Sequence, residues 1–436
     1  MNKKKTKISK EIKINKKSVR RNYSNQTGIT LIALVVTIVV LLILAGVTIN
    51  AVFSDRGIIK KAQDAQNKAN ESIQKDMEQI NALENWLNEN TGESNNDKEV
   101  NISTLVGKGA VTKNTKAVDT YGNKITIPRG FKVLAHGTEA GSATYTYSGD
   151  TIPAVQDGIV IENGTDGNQF VWVPVGTIKN KDNTTNTITL GRYEFDSSTG
   201  ALKSTTPVQV ASVENCTKVV TISRNDEDYQ ELSSSREGNT ATDSTAQNAT
   251  ARNLEEFIST TLANGGYYIA RFEASGTASK ITSKYNQTVL GNITQPNAAK
   301  AAREMYGEIK ENNKLVYASD LVNSYAWDTT IIFIQTYSTE TDASSYASQN
   351  KSTSFANTGI NLDKYCNIWD MSGNAIEWTT EYSTRSVGSD FCPCAYSGGY
   401  YDAVLGRAKR YASYRGGNDT TGSSSIDGLR PLLYVK

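Results

Sequence analysis

The chain has 436 residues, with 46 Lys and Arg against 45 Asp and Glu, one His and four Cys. A single histidine excludes a histidine-rich iron site, and four cysteines in so long a chain cannot carry the fold, which must rest on a hydrophobic core. Ten of the 46 basic residues stand in the first 28 positions and no later Lys/Arg stripe follows, which argues against nucleic acid as a partner.

In chain order, residues 1–28 hold eight Lys and two Arg against the single acid Glu11. Removing them leaves the remainder net negative. From Ile29 to Phe53 no side chain is charged, and as a helix at about 1.5 Å per residue this run would cross a bilayer. The basic flank orients it with the N-terminus inside and the bulk of the chain outside. An ordinary secretory signal has a shorter apolar core and a small-residue cleavage site, so two readings remain: a plain membrane anchor, or a signal cut before the apolar run.

The order of basic leader, Gly28 and "ITLIALVV" resembles the prepilin N-terminus of type IV pilins and pseudopilins. The resemblance implies cleavage after Gly28 by a prepilin peptidase, N-methylation of Ile29, and a pilin-like transmembrane and assembly helix over 29–90 that meets other pilin-like subunits. It also implies a bacterial surface location, membrane-inserted before assembly and extracellular after it. Pilins usually carry Glu at the fifth mature position, and here that position is Ala33. A terminal ammonium without its carboxylate is costly to bury, so the departure favours a filament tip or the membrane over a repeating core subunit.

Between Ser54 and Asn90 apolar residues including Ile58, Ile59, Ile73, Met77, Ile80 and Leu83 recur mostly at spacings of three or four, the stripe of an amphipathic helix. A polar linker over 91–100 follows. Beyond it, "NKITIP", "FKVLAHG", "GIVIE", "FVWVPVG" and "GGYYIARFEA" read as strands. Residues 101–168 are either a small β-rich unit or the start of the main domain. The stretch "SRNDEDYQELSSSREGNTATDSTAQNATARN" reads as a surface insertion, and "ARNLEEFISTTLANG", "NAAKAAREMYGEI" and "VNSYAWDTTIIFIQTYS" as helices.

Five pieces occur in order: "FVWVPVG", "GGYYIARFEAS", "LVNSYAWDTTIIFI", "NIWDMSGNAIEWTTE", and "YSGGYYD" with a later "GLRPLLYV". Together they resemble the formylglycine-generating-enzyme/sulfatase-modifying-factor family over 169–436, which implies an elaborated C-type lectin-like fold. The expected fold class is therefore α+β, a long pilin-like helix followed by that domain. Asn374 and Glu377 suit a hard cation, and the family's equivalent segment helps to bind calcium; the other reading is that both hydrogen-bond a buried turn. Catalytic members use paired cysteines after the Gly-Gly motif. Here Cys392 and Cys394 precede Gly398 and Gly399 and no cysteine follows, so no catalytic residue is transferred. Cys392 and Cys394 read as a structural or paired unit before a soft-metal site, and Cys216 and Cys366 as partners for a long-range disulfide if they meet. The lone His136 in "LAHGTEAG" reads as a surface or turn residue.

The C-terminal run mixes Tyr, Arg, Asn, Asp and Ser in the manner of recognition surfaces. Its candidate ligand-binding face comprises Tyr396, Tyr400, Tyr401, Asp402, Arg407, Arg410, Tyr411, Tyr414, Arg415, Asn418 and Asp419; the alternative is a polar loop with its tyrosines packed inward. Domains of this family also occur as variable proteins of diversity-generating retroelements, and the pattern is compatible with that. The leading expectation is a surface-displayed pilin-like adhesin for an extracellular protein or glycan. A membrane-tethered formylglycine-generating-type oxidase and a non-binding pseudopilin that primes assembly are the alternatives.

Overall fold

Seven antiparallel strands run through the middle of the described chain in the order Glu308–Glu311, Lys314–Leu321, Pro431–Val435, Gly266–Ala270, Gln169–Pro174, Val160–Asn163 and Phe131–Val133. The structure, a computed structural model, describes residues 99–135, 154–224, 227–233, 248–311, 314–339, 341–387 and 390–436. Residues Asp97–Lys436 make one compact unit. The leader, Gly28, Ile29, Ala33, the 29–90 helix, most of the 91–100 linker and His136 lie outside the described residues.

The central strands are apolar because both of their faces are covered. Gly266–Ala270 and Pro431–Val435 are buried at every position. Phe131–Val133 and Val160–Asn163 are strands of this same sheet, so residues after 101 enter the main unit directly. A six-stranded sheet has the order Thr221–Arg224, Glu227–Glu231, Ile376–Ser383, Cys394–Ser397 and Arg415–Asn418, with Asp427–Leu429 pairing parallel to Ile376–Ser383. Part of the stretch read as a surface insertion is thus a strand, Glu227–Glu231, paired with the fully buried Ile376–Ser383.

Three α-helices accompany the sheets. Leu254–Asn264 opens with the Asn253 side chain accepting from the Glu256 N–H and closes on Gly265 at φ +74°, the two terminal solutions expected of Asn and Gly. Gln295–Tyr306 presents Ala298, Ala299, Ala301 and Ala302 to the core, side chains small enough for close approach. Ser324–Tyr337 is capped by Asn323 and buried on every side from Ser324 to Ile334. Its polar groups are consumed internally: Asp328 pairs with Arg415, and Thr330 donates to the Ala326 carbonyl and meets the Tyr267 hydroxyl.

This architecture corrects the expected fold class. The described residues are mostly β-sheet, about 17 % helical, and none of their helices is long and apolar enough to cross a membrane. An α+β protein built on a long N-terminal pilin-like helix does not fit them. The physical reason lies in the strand content after residue 99, where period-two segments and short Gly- and Asn-bounded connections dominate.

Candidate ligand-binding face

Two networks of buried charge hold the C-terminal region and remove several residues from any surface role. Arg415, 1 % exposed, sends Nη2 to Asp328 Oδ1 at 2.5 Å and Nε to Glu381 Oε2 at 2.6 Å. The other Glu381 oxygen accepts from Arg192 Nη2 at 2.5 Å. Burial alone would lower the Arg415 pKa, but Asp328 and Glu381 outweigh it and hold it above its ordinary value. Arg415 is therefore a clamp between the six-stranded sheet and the Ser324–Tyr337 helix, and it leaves the expected face.

The second network contains the expected calcium ligands. Glu377 is wholly buried and gives both oxygens to Arg430, at 2.9 Å from Nε and 2.6 Å from Nη2. Asn374, at φ +68°, accepts from the Ala356 N–H through Oδ1 and donates through Nδ2 to Glu273 Oε2 at 2.6 Å. A cation placed there would face the Arg430 guanidinium and find these oxygens already used. The two side chains do not fit calcium and match the hydrogen-bonded-turn reading. Among the described residues no group of three or more His, Cys, Asp or Glu is arranged to hold a metal. Arg430 Nη1 also donates to the Ala270 carbonyl at 2.9 Å, so the same residue ties the two sheets together.

None of Cys216, Cys366, Cys392 and Cys394 is in a disulfide. Cys394 is fully buried, and burial pushes its thiol pKa well up; Cys366 is raised for the same reason. Neither is an activated thiolate. Cys216 donates its S–H to the Val213 carbonyl at 3.0 Å.

What remains is a hairpin, Tyr400–Asp402 paired with Arg407–Lys409. Its turn is closed by Asp402, whose Oδ1 accepts from the N–H groups of Val404 and Leu405 at 3.0 Å each and whose Oδ2 pairs with Lys409 Nζ at 2.9 Å. The bond from Lys409, with those from the turn amides, lowers the Asp402 pKa. The base of the hairpin is pinned to the core: the Asn350 amide donates to the Tyr400 and Lys409 carbonyls, and the Tyr401 N–H donates to the Asn374 carbonyl. A fixed base presents an apolar tip, with Val404 95 % and Leu405 50 % exposed. Phe355 is exposed next to Ala356, whose N–H donates to the same Asn374 side chain.

The other expected residues divide between scaffold and surface. Tyr396 is half-buried, edge-on to Trp378 at 5.5 Å, and its ring fills the space a β-carbon at Gly416 would need. Tyr411 donates its hydroxyl to the Ser198 carbonyl and packs on Gly200. Asp419 caps its own turn through Thr421, and Asn418 accepts from the Asp419 N–H. Tyr400, Tyr401 and Tyr414 are partly exposed, and Arg407 and Arg410 are exposed. Arg410 lies at φ +68° with its guanidinium 4.6 Å from the Tyr414 ring centre. For a residue with a β-carbon this backbone costs about 1–3 kcal/mol, the sort of strain that collects at binding sites.

The expected face thus contracts to Tyr400, Tyr401, Arg407, Arg410 and Tyr414. Sequence reasoning missed Val404 and Leu405. The available signal was "DAVLGR", in which two apolar residues occupy a turn between an Asp and a Gly.

No family model matches the chain, and no curated protein matches it. Among solved structures it is similar to the crystal structure of CarF, at 14 % identity and a TM-score of 0.25, over 39 % of this chain and 87 % of that one. A likeness at that level carries no argument about fold or function.

Proposed function

We propose that this chain is a surface-displayed binding protein whose Tyr400–Lys409 hairpin face engages an extracellular protein, with the prepilin-type N-terminal segment delivering it to the bacterial surface as a minor, pilin-like subunit. The observation that carries the reading is the rigid hairpin with Val404 and Leu405 in solvent. Two apolar side chains at the tip of a hairpin locked by Asp402, Asn350 and Asn374 serve no core. A pre-organised apolar tip beside Tyr400, Tyr401 and two arginines has the composition of binding hot spots. The apolar tip favours a protein over a glycan, and Arg407 and Arg410 favour an acidic surface.

Variation is also cheapest here. Val404, Leu405, Arg407 and Arg410 can change without disturbing either buried charge network, whereas Arg415 is a member of one and a side chain at Gly416 would meet the Tyr396 ring. This pattern suits a diversified binding protein. The test is full-length protein on an array of extracellular proteins and glycans, repeated with Val404→Asp/Leu405→Asp. Expected is a protein hit that the double variant loses by at least about tenfold. A hit that survives the double variant, or hits confined to glycans, would reject the hairpin reading.

A further inference from the structure

We propose a second binding site, for a small zwitterion of the amino-acid type, in a cavity of about 490 Å³ between the turn that joins Val160–Asn163 to Gln169–Pro174, the strand Lys280–Thr282 and the helix Gln295–Tyr306. Two lysines, Lys280 and Lys284, and two carboxylate residues, Asp166 and Glu304, line it together with Ile281 and Met305. The cavity shares no lining residue with the Tyr400–Lys409 hairpin.

The four charges stand round one space without meeting. Asp166 is fixed by its own turn, where Oδ1 accepts from the Asn168 N–H at 2.9 Å and from the Tyr306 hydroxyl at 3.1 Å. Lys284 Nζ lies 3.8 Å from where a β-carbon at Gly167 would stand, so its ammonium rests against the same turn. Yet among the described residues no ion pair joins Lys280 or Lys284 to Asp166 or Glu304. Glu304 pairs instead with Lys300, an exposed neighbour on its own helix 4.0 Å away. Opposite charges that line a cavity and stay apart leave each sign able to receive a ligand charge.

Both signs together narrow the occupant. A bare anion would find two ammonium groups but also two carboxylates, and the turn offers it no backbone donor: the N–H groups of Thr165 and Asp166 go to Asn163 Oδ1, and that of Gly167 to the Asn163 carbonyl. A bare cation would meet both lysines. A neutral ligand would gain from these groups little that water does not already supply. A ligand that carries a carboxylate and an ammonium satisfies both signs at once, the first on Lys280 and Lys284 and the second on Asp166 and Glu304, through charge-assisted hydrogen bonds. Ile281 and Met305 supply apolar lining for its side chain. The volume falls within the range of small-molecule sites, about 300–1,000 Å³, which suits an amino acid or a dipeptide.

The test is a saturation-transfer NMR titration of full-length protein with L-leucine and glycyl-L-leucine, and with two truncated forms of leucine, isocaproate without the ammonium and isoamylamine without the carboxylate. At least one zwitterion should bind, and both truncated forms should bind about tenfold more weakly or worse. Asp166→Asn keeps the acceptor for Asn168 and Tyr306 and removes only the charge; Lys280→Met/Lys284→Met removes the charges at the other end. Each should weaken the zwitterion by about tenfold or more, and the thermal midpoint of each variant shows that it still folds. Binding of neither zwitterion, a truncated form that binds as tightly as the zwitterion, or an affinity unchanged in either folded variant would overturn the proposal.

Discussion

Arg415 illustrates how a residue's role turns on its partners. In the sequence it is one more cation in a run of Tyr, Arg and Asn; in the structure it is inside, between Asp328 and Glu381. Removing one member of such a pair leaves an uncompensated charge in a low-dielectric setting, at a cost of about 3–5 kcal/mol. Arg415→Met should lose stability on that scale in urea unfolding, while Arg410→Ala should stay within about 1 kcal/mol of the parent and weaken ligand binding. Equal effects from the two substitutions would show that burial does not separate them.

Glu231 supplies a pH-dependent counterpart. Burial, with the Glu381 charge, raises its pKa to about 7, despite hydrogen bonds from the Ser324 N–H and the Ser324 and Thr380 hydroxyls. The folded state then holds this proton more tightly than the unfolded chain, whose ordinary value is 4.5. Its contribution is complete below that value and is lost as pH rises through about 7, on the order of 1–3 kcal/mol. Stability should therefore fall between pH 5 and 8, and Glu231→Gln should flatten that part of the curve. A slope unchanged by the substitution would assign the effect to other carboxyls, such as Glu273 and Asp370, which burial also raises.

Among elements, the Tyr400–Lys409 hairpin and the Arg415–Asn418 strand behave in opposite ways although they are neighbours in sequence. The hairpin tip touches solvent, so Val404→Ser with Leu405→Ser should leave the thermal midpoint nearly unchanged, within about 0.5 kcal/mol of stability. A β-carbon at Gly416 would come within 2.3 Å of the Tyr396 ring. Gly416→Ala should then cost about 1–3 kcal/mol, since the ring stands against Trp378 and cannot withdraw freely. Parallel melting curves for the two variants check both statements.

Element by element, legibility followed burial and period. The apolar strands "FVWV" and "GYYIA" and the three helices fall close to where their patterns place them, because continuous apolar runs and Asn and Gly caps are local signals. Glu227–Glu231, "EDYQE", was invisible as a strand. Its polar side chains are compatible with a buried sheet only because Ser324 and Thr380, far away in sequence, bond to Glu231. The candidate face was half legible for the same reason: tyrosine and arginine identify a recognition-like composition but not which of them turn inward.

At the scale of the whole molecule, the described unit is held by two sheets with buried arginines between them and the helices. Arg192, Arg271, Arg415 and Arg430 are all fully buried, and Arg430 bonds to both sheets through Ala270 and Glu377. Because Asp97–Lys436 forms a compact unit of its own, that segment expressed alone should unfold in a single cooperative transition. Calorimetry would show otherwise if it gave two resolved transitions.

The sequence by itself determined the basic leader and apolar run, the positions of the apolar strands and capped helices, and the composition of the C-terminal region, since all of these depend on residues close together in the chain. Only the tertiary structure decided that Glu377 serves Arg430, that Arg415 is core and Val404 surface, and that Asp166 and Lys284 share one cavity. Pairing of charges and exposure are properties of contacts between distant segments, and no local pattern encodes which carboxylate a guanidinium will meet.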